Sequence, residues 1–120
     1  MITTKQRGDH AEQQALQHLL SFGLELIEQN FHSRGGEIDL IMSDQECLIF
    51  VEVRYRKTDK YGSAAESVNS QKQSRIIHAA QVYLQKHTTS YRNYRFDVVA
   101  ISPGDDKSSL AWIKDAFQLN

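Results

Sequence analysis

Residues 35–56, GGEIDLIMSDQECLIFVEVRYR, read as two short strands joined by the polar turn Ser43-Asp44-Gln45-Glu46. Side chains alternate faces along a strand. Ile38, Leu40 and Met42 are therefore expected on one face, and Ile49, Val51 and Val53 on one face of the next strand. The other face is apolar at Ile41, Leu48 and Phe50 and charged at Glu37, Asp39, Glu52 and Arg54. Pairing about the Gln45-Glu46 midpoint sets Ile41 opposite Phe50, Asp39 opposite Glu52 and Glu37 opposite Arg54. Directly opposed side chains lie roughly 5 Å apart, and like charges there are destabilising. Two carboxylates side by side on half-buried strands point to a divalent cation such as Mg²⁺ or Mn²⁺, since such ions are held by one or two carboxylates with water and phosphate completing the shell. Asp39 and Glu52 are the candidate metal ligands.

The chain of 120 residues is long enough for one domain with its own core, read as residues 1–120. Hydrophobic residues at 40% and charged residues at 24% fit an ordinary globular protein. The single cysteine, Cys47, excludes an internal disulfide and offers no zinc pattern. No apolar run reaches the ~20 residues that span a bilayer, and MITTKQRGDH lacks a signal-peptide core, so a cytoplasmic protein with no membrane partner is expected. The net charge is −1, but it is segregated. Residues 1–53 carry three basic and nine acidic side chains, residues 54–95 nine basic and two acidic. The basic half is a candidate phosphate-binding surface if folding keeps its charges together.

Outward from the hairpin, Ala11, Ala15, Leu19 and Phe22 follow helical spacing and predict a first helix over Asp9–Phe22. Asp9 with Glu12 resembles a capping box, and Gly23 suits the position after the helix end. Leu24–Phe31 reads as a strand. His32-Ser33-Arg34-Gly35-Gly36 reads as a turn for which ordinary glycine turn chemistry suffices. After Arg56 an eleven-residue polar loop leads to a helix predicted over Asn69–His87, capped by Asn69 and buried along Ile76, Ala79, Ala80, Tyr83 and Leu84. Lys72 lies one turn before Ile76 on the same flank, so it could point towards the core edge near the hairpin, although a solvated lysine is its simpler reading. Arg92–Ile101 and Leu110–Phe117 supply two more strands, with Asp97 an acid in an apolar run that calls for a cation. Pro103-Gly104 breaks the chain between them. The order α-β-β-β-α-β-β predicts an α/β fold, a central mixed sheet of about five strands flanked by helices.

An Asp, then Glu-x-basic on the next strand, resembles the PD-(D/E)xK signature of the restriction-endonuclease-like superfamily. Ile38-Asp39 stands for Pro-Asp, and Glu52-Val53-Arg54 for (D/E)xK. A more extensive resemblance covers nearly the whole chain. Gly8 through Gly23, the stretch from Phe31 into GGEIDLI, FVEVRYR from Phe50, YGSAAESV from Tyr61, Lys72, Ala80–Leu84 and Arg95-Phe96-Asp97-Val98-Val99 together resemble the YraN family, grouped with Holliday-junction-resolvase-like nucleases. The resemblance implies a restriction-endonuclease-like (tRNA-endonuclease-like) fold, with Asp39 and Glu52 as metal ligands, Glu12 as the helix acid that completes such sites, and a two-fold dimer. Arg54 departs from the pattern. Arginine does not deprotonate in proteins, so it could hold phosphate or developing negative charge but not act as a base.

Three functions are consistent with these residues. The first is a Mg²⁺- or Mn²⁺-dependent nuclease with Asp39, Glu52, Arg54 and Glu12 in its catalytic site, acting on branched or single-stranded DNA in preference to RNA. Arg34, Arg56, Lys57, Lys72, Arg92 and Arg95 would contact the nucleic acid. The second is a nucleic-acid-binding module with weak or no chemistry, because Arg54 replaces the lysine. The third is a protein-interaction adaptor. The five histidines show no zinc-ligand spacing, and neither a P-loop nor a G-x-S-x-G elbow is present.

Overall fold

The computed structural model describes residues 3–56, 65–87, 91–102 and 110–118. Its first element, α1 (Thr4–Ser21), starts five residues before the expected Asp9. Thr3 forms a complete capping box with Gln6: its Oγ1 accepts from the Gln6 N–H (3.1 Å), and Gln6 Oε1 accepts from the Thr3 N–H (2.8 Å). A threonine–glutamine pair satisfies two orphan donors reciprocally, so the helix nucleates there and Asp9 and Glu12 fall inside it. Glu12 is thereby released from the capping role. The other end follows expectation. Gly23 adopts φ +90°, its N–H bonds to the Leu20 carbonyl, and the Leu24 N–H bonds to that of Leu19, which is a Schellman closure.

Five strands follow: β1 (Glu25–Ser33), β2 (Gly36–Asp44), β3 (Cys47–Tyr55), β4 (Asn93–Ile101) and β5 (Leu110–Phe117), with helix α2 (Ser70–Lys86) between β3 and β4. They form one mixed sheet in the order β1-β2-β3-β4-β5, in which β3 and β4 alone run parallel, joined by the α2 crossover. The expected α/β architecture and element order are present. Both hairpin turns are tighter than the sequence reading: Arg34-Gly35 joins β1 to β2, and Gln45-Glu46 joins β2 to β3, so Ser43 and Asp44 belong to β2. Residues 57–64, which hold Lys57, Tyr61, most of the long loop and the first half of YGSAAESV, lie outside the described residues, as does Pro103-Gly104. The loop closes in a single 3₁₀ turn at Ala65–Ser67. Among the described residues no helix is long and apolar enough to cross a membrane.

A helix covers each face of the sheet. Under α2 lie Ile41, Leu48, Phe50, Phe96 and Val98 with Ile76, Ala79, Ala80 and Tyr83; under α1 lie Leu40, Met42, Ile49, Val51 and Val99 with Ala11, Ala15 and Leu19. The helix–sheet contact needs Gly36: a Cβ built there would run into the Arg75 carbonyl of α2. Turn chemistry therefore accounts for Gly35 (φ +89°) but not for Gly36, whose bareness admits a neighbouring backbone.

One expectation about faces fails informatively. Ile38 packs under α2, whereas Leu40 and Met42 pack under α1, so strict alternation breaks at Asp39. On the neighbouring strand Asn30 sits at φ +54°, a left-handed conformation inside β1, between the pairs Gln29↔Leu40 and Phe31↔Ile38. Both strands thus change face where Asn30 and Asp39 lie across from each other.

Asp97 is fully buried and completely satisfied. It accepts Arg95 Nε (3.0 Å) and a second guanidinium nitrogen (3.2 Å), the Trp112 indole N–H (2.9 Å) and the Asp115 backbone N–H (2.9 Å). Those donors tie β5 to β4 across the irregularity between Phe96 and Val98. Removing the carboxylate leaves these donors without their acceptor, and breaking such a buried pair costs about 3–5 kcal/mol. Asp97→Ala should shift the urea unfolding midpoint down by a corresponding amount, followed by far-UV circular dichroism.

Candidate functional site

The candidate site forms where β2 and β3 separate. Their ladder runs from Asp44↔Cys47 to Leu40↔Val51, as the sequence register anticipates, and then stops. Beyond it the Asp39 carboxylate takes over a backbone role: Oδ2 accepts the Val53 N–H at 2.8 Å. The face change at Asp39 turns this side chain into the gap. Glu37, expected opposite Arg54, instead reaches His32 on β1 (3.2 Å), because the β1–β2 ladder continues to Ser33↔Gly36 while the β2–β3 ladder has ended.

Glu52 is only 3% exposed. Its Oε2 carries two cations, Lys72 Nζ at 3.5 Å and an Arg54 guanidinium nitrogen at 3.9 Å. Its Oε1 is buried with no partner, as is Arg54 Nε. Burial, the neighbouring Asp39 charge and a hydrogen bond shared with Asp39 push the Glu52 carboxyl up to about 8, against the smaller opposing pull of Lys72 and Arg54. The predicted neighbours Asp39 and Glu52 are thus brought together, near enough for the charge of Asp39 to help raise the Glu52 carboxyl. Lys72, read from sequence as a solvated side chain, reaches into the site from the first turn of α2. Asn69 places it there, capping the helix by accepting the Lys72 N–H (2.9 Å).

Glu12 approaches from α1. Its carboxyl is raised by burial and by the Asp39 charge, and lowered by hydrogen bonds to the side chains of Asn30 and Gln29. Glu12, Asn30, Glu37 and Asp39, with Lys5 and Asp9, line a cavity of about 420 Å³ on the α1 side. A second cavity of about 380 Å³ lies on the α2 side, bounded by His32, Gly35, Gly36, Glu37, Lys72 and Arg75. Glu37 forms part of both. Sequence reasoning overlooked Asn30. Its signal is the left-handed backbone in a strand, which asparagine tolerates better than most residues and which is stored at functional sites; that signal exists only in the structure.

The donor set fits a hard divalent cation in part. Two adjacent carboxylates, one with a buried free oxygen, match Mg²⁺, which keeps several waters. Among the described residues no three His, Cys, Asp or Glu side chains gather to hold a metal unaided. Glu12 therefore stands near Asp39 without closing a three-carboxylate set. Cys47 is a packing residue, its thiol pushed up chiefly by burial.

The basic residues divide between two places. Arg34 is exposed on the β1–β2 turn, Arg54 and Lys72 are at the carboxylates, and Arg56 continues β3, its N–H bonded to the Ile101 carbonyl. Arg92 pairs with Glu46 (4.0 Å) at the far end of the sheet, about 20 Å from Glu52 at a strand rise of ~3.3 Å per residue. Arg95 is consumed by Asp97. The basic half of the sequence does not fold into one surface, because β4 runs parallel to β3 and returns Arg92 and Arg95 to its starting end.

The comparisons with known proteins point to one family. A family model described as "Uncharacterised protein family UPF0102" matches residues 11–101. A UPF0102 protein of Pseudomonas syringae pv. syringae is 49% identical over 119 residues, 96% of this chain and 95% of its own length. One from Nitrosococcus oceani is 45% identical over 119 residues, 98% and 95% of the two chains. The UPF0102 protein YraN of Escherichia coli K12 is 47% identical over 118 residues, 97% and 87%.

The raised Glu52 carboxyl has a consequence for stability. Unfolding returns it to about 4.5, so between pH 4.5 and 8 the native chain holds the extra proton. Stability contributed by neutral Glu52 is complete below pH 4.5 and is lost as pH rises towards 8, by at most about 1.4 kcal/mol per pH unit for one proton. In chelator-containing buffer, Glu52→Gln should match the wild type near pH 5 and melt progressively higher than it towards pH 8. A difference in melting temperature that stays constant with pH would contradict the raised Glu52 carboxyl.

Proposed function

The chain belongs to the uncharacterised protein family UPF0102, the family of YraN, and from the buried Asp39–Glu52 pair with its attendant Lys72 we propose that it is a metal-dependent phosphodiester hydrolase acting on nucleic acid. The observation that carries the reading is Glu52 Oε1. A carboxylate oxygen buried without a donor is costly, and its cost is offset when a cation binds there. Asp39 and Glu52 would hold Mg²⁺ or Mn²⁺, which supplies an activated water and neutralises charge on the scissile phosphate.

Each remaining group has a role that its own chemistry allows. Lys72, held by Glu52 Oε2 at 3.5 Å, supplies the ammonium that the motif expects at position 54. Its three donors can orient the attacking water or a phosphate oxygen, and as an amine it can exchange a proton, unlike Arg54. Arg54 lies beside the same carboxylate oxygen with its Nε unpartnered, ready for an anionic oxygen. Glu12 adds negative charge on the α1 side of Asp39. The substitution of the motif lysine by Arg54 favours a second reading, a module that binds nucleic acid in the same place without efficient chemistry.

A cleavage assay separates the two. With Mn²⁺ or Mg²⁺, on single-stranded, duplex, flap and four-way-junction DNA and RNA, the wild type should cleave. Asp39→Ala/Glu52→Ala should be inactive, and Lys72→Ala should lose roughly 10²-fold or more in rate. Cleavage that survives in the double variant overturns the carboxylate site. Absent cleavage combined with binding that weakens as salt rises supports the module.

A further inference from the structure

We propose that the bound nucleic-acid strand runs from the carboxylate pair into the cleft between the β1–β2 turn and the first half of α2, with backbone phosphates held by Lys72 and Arg75. This deepens the reading above and rests on it. The inference comes from the two cavities. The one on the α1 side is lined by Asp9, Glu12, Glu37 and Asp39 against Lys5, a formal charge of −3, which suits cations and repels a polyanion. The one on the α2 side is lined by Lys72 and Arg75 against Glu37, a formal charge of +1 that becomes +2 when His32 is protonated. Glu37 is turned towards His32 at 3.2 Å, so its charge is partly engaged.

Three features fit the cleft to phosphodiester backbone rather than to bases. Lys72 belongs both to its lining and, at 3.5 Å, to Glu52, so a strand in the cleft is continuous with the reacting position. Its floor includes Gly35, which has no side chain to keep a phosphate from the backbone, while the bare side of Gly36 is already closed by the Arg75 carbonyl. Among the described residues its lining contains no Phe, Tyr or Trp on which a base would stack, which favours recognition by charge, tolerant of sequence. Arg34, exposed on the turn at the rim, extends the same positive path. Two of the arginines offered by the sequence lie off this path: Arg95 is locked on Asp97, and Arg92 lies at the opposite end of β3 beside Glu46.

The test is fluorescence anisotropy with a labelled single-stranded DNA, using the full chain with Ca²⁺ in place of the catalytic cation, over a series of salt concentrations. Arg75→Glu should weaken binding by about tenfold or more, and Arg75→Gln should lower the salt slope by about one. Arg92→Glu should stay within about twofold of wild type. The packing against Gly36 uses the Arg75 backbone carbonyl, so both Arg75 variants should keep the wild-type melting temperature. Mn²⁺ affinity, measured by calorimetry, should be unchanged in them. Wild-type binding that Arg75 variants leave intact, or that Arg92→Glu weakens more, overturns the cleft while leaving the nuclease reading standing. A wild type that binds no nucleic acid at low salt overturns both.

Discussion

Two carboxylates held together at the end of a buried strand set the terms for everything around them. Glu52 sits on β3, the central strand, where both faces are covered, and Asp39 adds its charge from β2. Such a pair is tolerated because a proton, Lys72 and Arg54 share the burden, and each comes at a structural expense. The proton is held at pH values where a carboxylate is ordinarily ionised. Lys72 must be delivered by a helix start fixed by Asn69. Arg54 is drawn in with its Nε unpartnered. Asp97 shows what the same fold does with an acid that it uses for architecture: four donors and no free oxygen. The contrast between a saturated Asp97 and an unsaturated Glu52 separates an acid that holds the sheet together from one left with a buried oxygen free.

The separation of β2 from β3 makes the site. In an uninterrupted ladder, Asp39 and Glu52 would be neighbours on one flat face. Here the left-handed Asn30 and the change of face at Asp39 end the pairing after Leu40↔Val51, and the Asp39 side chain replaces a lost backbone acceptor by taking the Val53 N–H. Strain in one strand is thus converted into an oriented carboxylate in the next. The local energetic loss is offset by apolar packing on both sides of the sheet, where Ile38 on one face and Leu40 on the other remain buried despite the break.

Much of this was legible in the order of residues, and the exceptions have identifiable causes. Strand alternation and helical stripes locate the two α-helices and five strands of the described residues, and the midpoint register of the β2–β3 hairpin is correct as far as Val51. The start of α1 was misplaced because Asp9-x-x-Glu12 imitates a cap while Thr3-x-x-Gln6 forms a better one. Faces around Asp39 were misassigned because alternation assumes a regular strand, and nothing in the letter N at position 30 announces a positive φ. Lys72 was undervalued because a lysine in a helix's first turn is usually solvated; only the packing of α2 against the hairpin points it inward. The scattering of the basic segment follows from topology, since a parallel crossover returns the chain to the end of β3 opposite Glu52.

The face change at Asp39 also means that the site is not on a side of the sheet at all. It passes through the layer at its frayed end, with the acidic hollow opening beneath α1 and the basic cleft beneath α2. On the proposed function, cation and polyanion would therefore have separate approaches to the same few atoms. An ion would exchange with solvent from one side while a strand occupied the other, so neither ligand would have to depart for its counterpart to arrive.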